Sequence, residues 1–285
     1  MCGADRAKQR GACGADDRVR VAKRMLHQWE EPFISGTRGS GTVFFSGCNL
    51  GCVYCQNHEI RDGGIGDVFD ANSLADAYLK LQQDGAHNIN LVTAAPYVPQ
   101  VAESLRLAKS RGLTIPVVYN SSGYECVEAI RSLEGLVDIY LPDFKYVSPL
   151  LAGKFSNAPD YEEVAFAAIQ EMHRQVGDLI LDHEGIATRG LVIRHLILPG
   201  CADDSRKVLD RIVSFLPLST QISLMSQYTP HEHTTEFPLN RRITQREYDR
   251  VISYALSLGL HNILLQERDS AKSVYTPQFT EPIKI

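Results

Sequence analysis

Three cysteines, Cys48, Cys52 and Cys55, fall within eight residues at the spacing C-x3-C-x2-C. Thiolates are soft donors that suit zinc or iron–sulfur centres, and a [4Fe–4S] cluster ordinarily takes four of them. Three local thiolates would leave one iron open to a further ligand. His58, three residues beyond Cys55, offers the alternative of a closed tetrahedral zinc site with three sulfurs and one imidazole. Seven cysteines, an odd number with three crowded together, argue for metal chemistry in a reducing compartment and against a disulfide framework.

Other residues that could do chemistry stand at the ends of apolar runs. Asp143 and Lys145 follow the run 137–141, VDIYL. Residues two apart on extended backbone share a face, so the two can form a charge pair that meets an amino group and a carboxylate. Arg194 lies inside LVIRHLIL (191–198) and needs a partner if it is buried. Asn120 opens Asn120-Ser121-Ser122-Gly123, residue types that also favour a turn or a helix cap. Cys201 follows the Pro199-Gly200 exit and could donate hydrogen or line a cavity, whereas Cys126 shares a helical face with Ile130 and Leu133 and reads as core. Cys2 and Cys13 lie in a polar leading segment, and one His231-x-His233 pair is weak as a metal signature. The glycine-rich runs 36–41 and 63–66 lack the strand–loop–helix context and the Lys-Ser/Thr ending of a phosphate loop.

The positioning elements read as alternating strands and helices. Runs at 42–45, 88–93, 115–119, 137–141, 191–198, 220–225 and 262–266 have strand character. Helical stripes separate several of them: Val98, Val101, Leu105 and Ala108; then Val208, Leu209, Ile212, Val213 and Leu216 behind Asp203 and Asp204, which can cap the first turn. Thr244 and Glu247 make a capping box for a third helix, closed by Gly259. Apolar strands between amphipathic helices imply a parallel sheet covered by helices, either closed as a barrel or open, with ligands at the carboxyl ends of the strands. Residues 1–35 read as an N-terminal extension, weakly packed, with one short helix over 19–26 leading to Trp29; residues 36–285 form the main domain.

Composition sets further bounds. With 285 residues, 44% apolar and 22% charged, the chain is long enough for one large α/β domain or two small ones. A formal charge of −5 shows no basic footprint for nucleic acid. No apolar run approaches the roughly 18–20 residues of a membrane span and no signal-peptide core is present, so no membrane role and a cytoplasmic location are expected.

The triplet, with Tyr54 directly before its last cysteine, resembles the radical S-adenosylmethionine (radical SAM) superfamily, and within it the pyruvate formate-lyase activating enzyme-like proteins. Gly47-Cys48, the Asp143-x-Lys145 pair and the Pro199-Gly200 exit carry the resemblance, which spans roughly residues 36–230. It implies a partial (β/α)6 barrel with a short N-terminal extension and C-terminal strand and helix additions. It also implies a [4Fe–4S] cluster on Cys48, Cys52 and Cys55, and S-adenosylmethionine (SAM) on the open iron. The implied oxidoreductase reaction is reductive cleavage of SAM to a 5′-deoxyadenosyl radical that abstracts hydrogen. By the same resemblance Tyr54 packs near the adenine, while Asn120, Asp143, Lys145 and Arg194 contact SAM or substrate and Gln227 reaches the ribose. The family's Gly-Gly-Glu is replaced by Thr93-Ala94-Ala95, so contact with the SAM amino group falls to backbone carbonyls or the Thr93 hydroxyl. A flavodoxin- or ferredoxin-like reductant is implied, and a glycyl-radical-type protein partner is a further expectation. The alternatives are a radical reaction on a small molecule or peptide, and a non-enzymatic zinc or iron–sulfur protein.

Overall fold

The computed structural model describes residues 4–230, 234–265 and 279. The first part of the chain forms β1 (Val19–His27), α1 (Pro32–Ser35), β2 (Ser40–Phe45), α2 (His58–Arg61), β3 (Asp67–Phe69) and α3 (Ala71–Gln83). Next come β4 (Ile89–Val92), α4 (Val98–Ser110), β5 (Val117–Ser121), α5 (Val127–Arg131), β6 (Ile139–Pro142), α6 (Pro149–Ser156) and α7 (Tyr161–Val176). The last described part holds β7 (Ile180–Leu181), β8 (Ala187–Leu196), α8 (Ala202–Val213), β9 (Gln221–Met225), α9 (Gln245–Ser257) and β10 (Ile263–Leu265).

All seven apolar runs become strands. They lie side by side as β2, β4, β5, β6, β8, β9 and β10, every neighbouring pair parallel. The strand order ends in β3 at one side and β10 at the other, and these two do not pair. The result is a helix-covered, mostly parallel sheet that stops short of closure: the partial barrel.

Period-two alternation assigns the two faces. Val43, Phe45, Leu91, Tyr119, Tyr140 and Ile193 join the main core with the helices. The opposite, inner face carries Val118, Ile139, Leu141 and Val192, and Ile34 of α1 is fully buried among them. The short helix α1 therefore plugs the concave side. Asn90, Asn120, Asp143 and Arg194 belong to this same inner face by alternation and register, Asp143 bridging Arg194 directly.

Two expectations about the leading segment are corrected. Residues 19–26 form strand β1, antiparallel to both β2 and β3, and not a helix. A bulge between Val21 and Lys23 explains the misreading, because one extra residue shifts the side-chain phase. Val19 and Val21 then face the main core while Ala22 and Met25 turn to the other side, which imitates helical spacing. Nor is the segment weakly packed. The Cys48 N–H donates to the Cys13 carbonyl at 3.1 Å, and the Arg6 guanidinium sits 5.3 Å over the Tyr97 ring while bonding the Pro96 carbonyl.

Two smaller corrections concern helix ends. Cys126 is the N-cap residue of α5, half-buried, with its thiol 2.7 Å from Glu128 Oε2, so only Ile130 and Leu133 of that stripe are core. Asp204 does not cap its own helix; its carboxylate accepts from the N–H groups of Val147 (3.2 Å) and Ser148 (2.9 Å), tying the loop after β6 to α8. The capping box of Thr244 and Glu247 forms as expected.

Candidate active site

The cysteine loop leaves the carboxyl end of β2. Gly47 takes φ +100°, where a Cβ would also lie 2.8 Å from the Cys13 carbonyl oxygen, so the turn requires glycine. The loop is pinned from several sides. Gly51 N–H donates to Ser156 O (3.1 Å), Val53 N–H to Phe155 O (2.9 Å), and Arg61 Nη1 to Cys52 O (2.8 Å). The thiols themselves are enclosed: Cys48 Sγ accepts from Leu50 N–H at 3.4 Å, and Cys52 Sγ lies 3.0 Å from Ser156 Oγ.

Burial, with the Cys52 sulfur nearby, pushes the Cys48 thiol up to about 12 and the Cys55 thiol up to about 11. Three thiolates packed this way require compensating positive charge, which a metal cluster supplies. Lys145 favours the thiolate at both positions, so one protein cation already faces the loop. The donor set of soft, free thiols, Cys52 buried and Cys48 and Cys55 half-buried, beside a cation fits an iron–sulfur cluster. Among the described residues no group of three or more His, Cys, Asp or Glu side chains, the cysteine triplet with His58 included, is drawn together closely enough to hold a single metal ion.

Beside the loop, the inner face gathers an ionic network. Lys145 Nζ donates to Asp143 Oδ2 at 2.5 Å, and Arg194 Nε donates to Asp143 Oδ1 at 3.0 Å. Arg194 Nη2 donates to Asn120 Oδ1 at 2.6 Å, and Nη1 reaches Glu30 Oε2 at 3.5 Å. Glu30 Oε1 also accepts from Asn90 (3.1 Å) and Asn120 (3.3 Å). Burial alone would raise Asp143, yet Arg194 and Lys145 together hold it below the usual carboxylate range. Burial opposes the Lys145 and Arg194 charges, but Asp143 together with Cys52 and Tyr161 at Lys145, and with Glu31 and Glu30 at Arg194, outweighs it and both are raised. Glu30 and Glu31 shift upward because burial outweighs the pull of Arg194, and Glu30 adds to the shift at Glu31.

The structure thus brings Asn120, Asp143, Lys145 and Arg194 together. Tyr54 is buried, its hydroxyl bonded to that of Tyr146 and its ring edge-on to Tyr228 at 6.2 Å. Thr93 holds φ +60°, a strained setting for a β-branched residue, with its N–H donating to the Asn120 carbonyl at 2.9 Å. Gln227 stands apart from the network, its amide 3.7 Å from Met225 Sδ. Cys201 does not line the inner face: it is the N-cap residue of α8, buried, with Asp204, Glu247 and Arg241 as its charged neighbours. Cys2 and the His231-Glu232-His233 stretch lie outside the described residues.

Glu30, Glu31 and Asn90 went unmarked at the level of sequence. Asn88 and Asn90 alternate within an otherwise apolar strand, which is a readable sign of a polar inner face. Nothing local marks Glu30 and Glu31 as buried, because α1 carries them into the barrel only through tertiary packing.

The profile of the Radical SAM superfamily matches residues 42–185, just over half of the chain. An uncharacterized protein of Methanocaldococcus jannaschii is 30% identical over 268 residues, covering 91% of this chain and 73% of that protein. The chain belongs to the radical SAM superfamily, and its cofactors are a [4Fe–4S] cluster and SAM. Among solved structures, Streptococcus suis SuiB bound to precursor peptide SuiA matches with a TM-score of 0.54 and 9% identity, over 77% of this chain and 46% of that one. HydG, a maturase of the [FeFe]-hydrogenase, matches with a TM-score of 0.53 and 10% identity, over 80% of this chain and 52% of that one. At these identities both show the shared fold alone.

Proposed function

We propose that this chain is a radical SAM oxidoreductase that cleaves SAM reductively and takes a hydrogen atom from a substrate group held at the inner face beside Arg194. Cys48, Cys52 and Cys55 hold the cluster in this reading. The observation that carries it is the meeting of the cysteine loop with Lys145, itself paired to Asp143 and through it to Arg194 and Asn120. When bound, the cluster supplies an electron to the SAM sulfonium and SAM supplies the 5′-deoxyadenosyl radical.

The chain's own residues bind and orient. Lys145 offsets thiolate charge and, with Asp143, presents one cation and one anion to a zwitterion. Thr93 turns its backbone at the carboxyl end of β4, where the family's glycines stand, and so offers the amino-group contact. Tyr54 walls the adenine side, and Gln227 reaches the ribose only if the loop after β9 moves inward. The reductant is a flavodoxin- or ferredoxin-like protein, and the reducing cytoplasm suits thiols that are all free among the described residues. Activation of a glycyl-radical-type partner rests on the sequence resemblance. A substrate borne on a peptide draws support from the neighbour seen with its precursor peptide.

The test is anaerobic reconstitution followed by reduction with SAM present. Iron and sulfide should be incorporated and 5′-deoxyadenosine released, and Cys52→Ala should lose both. An intact cluster with no release of 5′-deoxyadenosine refutes the proposal.

A further inference from the structure

Cys52 differs from the other two cysteines of the triplet in where its hydrogen-bond partner comes from. Cys48 accepts from the Leu50 N–H and Cys55 from the Asn57 N–H, both backbone groups of the same loop. At Cys52 the partner is a side chain: Ser156 Oγ lies 3.0 Å from Cys52 Sγ, across 104 residues of sequence. The Ser156 hydroxyl also lies 3.1 Å from the Tyr146 hydroxyl, which is bonded in turn to that of Tyr54. All four residues are buried, Ser156 completely, so Tyr54, Tyr146, Ser156 and Cys52 form one enclosed row.

Backbone contacts fix the end of that row. Helix α6 ends at Ser156, and Asn157 takes the left-handed φ of 55° that turns the chain away. The last two carbonyls of α6 accept from the N–H groups on either side of Cys52, Ser156 O from Gly51 (3.1 Å) and Phe155 O from Val53 (2.9 Å). Ser156 Oγ is therefore held against Cys52 Sγ by the main chain of both partners.

Ligation would give the row a direction. A cysteine that binds metal does so as the thiolate, which has no proton and can only accept. Ser156 must then donate to Cys52, which leaves its oxygen to accept from Tyr146, and Tyr146 to accept from Tyr54. Each hydroxyl has one proton to give, and each donor polarises the next. A hydrogen bond to a cluster sulfur favours the more negative, reduced level, and such bonds are one of the levers on iron–sulfur potentials.

We propose that Ser156, backed by Tyr146 and Tyr54, is a positioning residue that donates to the Cys52 thiolate and raises the reduction potential of the cluster. The inference rests on the proposed function for the cluster at Cys52. The step it governs moves one electron from the reductant to the cluster, and every hydroxyl proton stays on its own oxygen.

The test is a potentiometric titration of the anaerobically reconstituted holoprotein with dithionite and redox mediators, without SAM, followed by visible absorbance and electron paramagnetic resonance. Ser156→Ala should keep its iron and sulfide while its reduction becomes about tenfold less favourable, a fall of about 59 mV for one electron. Tyr146→Phe, which removes only a hydroxyl and serves if Ser156→Ala does not fold, should fall in the same direction by a few-fold. The double variant should fall no further than Ser156→Ala, because Tyr146 acts through Ser156. A full cluster with an unmoved or raised midpoint in Ser156→Ala, or in Tyr146→Phe where that variant stands in, overturns the inference alone. Additive shifts in the double variant overturn the relay. A wild-type protein that takes up no iron removes the cluster reading and this inference with it.

Discussion

The cysteine loop and the inner-face network lie at the same end of the sheet and treat charge in opposite ways. In the loop, like groups are packed together. Cys48 and Cys55 are pushed up by burial and by the neighbouring Cys52 sulfur, with Lys145 favouring both thiolates and Arg61 favouring that of Cys55. In the network, nearly every charge meets its opposite, with Arg194 bonded to Asp143, Glu30 and Asn120 and Lys145 bonded to Asp143. A protein interior tolerates unbalanced groups only where a ligand completes them or a proton neutralises them. In the proposed reading the loop is the part that a metal cluster completes, and the network is the part that stabilises the fold beside it.

Substitutions can break this division. Cys52→Ala should produce the largest functional effect, loss of iron and of 5′-deoxyadenosine release below detection, while far-ultraviolet circular dichroism stays unchanged. Unfolding of that variant would show that the loop also stabilises the fold. Arg194→Met should do the reverse first, costing about 3–5 kcal/mol in urea unfolding because Asp143 and Glu30 stay buried without their partner. A loss under about 1 kcal/mol would place the network among weak surface pairs.

A third, smaller effect concerns Glu125, buried in the loop after β5 with the Tyr119 hydroxyl donating to its Oε1 at 3.3 Å. Burial raises its carboxyl from 4.5 to about 8, so between those values the folded state binds more protons than the unfolded chain. Stability should accordingly fall as pH rises through this window, with a slope approaching about 1.4 kcal/mol per pH unit, and level off above it. Urea midpoints across pH 5–8 should flatten in Glu125→Gln; an unchanged slope would assign the pH dependence elsewhere. The smallest effect is at Thr93, where φ +60° strains a β-branched side chain. Thr93→Gly should gain up to about 1 kcal/mol, the strain relieved less the entropy of a glycine. A loss of stability would mean that the Thr93 side chain makes a contact that outweighs its strain.

Legibility followed the distance along the chain over which each feature is built. The cysteine spacing, the Asp143–Lys145 pair and the capping box of Thr244 and Glu247 are local, so residue types and offsets suffice to find them. The seven parallel strands were likewise visible as apolar runs, because strands buried on both faces write their burial into every position. Strand β1 was misread because its bulge places apolar residues on both faces at spacings that imitate a helix. Cys201 stands at the N-cap position of α8 with Asp204, Glu247 and Arg241 as its charged neighbours, a setting that no local spacing marks.

By itself, the order of residues determined the alternating α/β architecture and placed the cysteine triplet of the proposed cluster site at the carboxyl end of the sheet. These depend on short-range periodicity and on ligand spacing, which survive without knowledge of any long-range contact. Only the tertiary structure decided that the leading segment joins the inner-face network. Glu30 and Glu31 are more than 160 residues from Arg194 in sequence, and they meet it because Ile34 of α1 seals the inner core and carries the two carboxylates in with it. A buried charge is defined by what surrounds it in space, so its partners are fixed by the packing and are silent in the sequence.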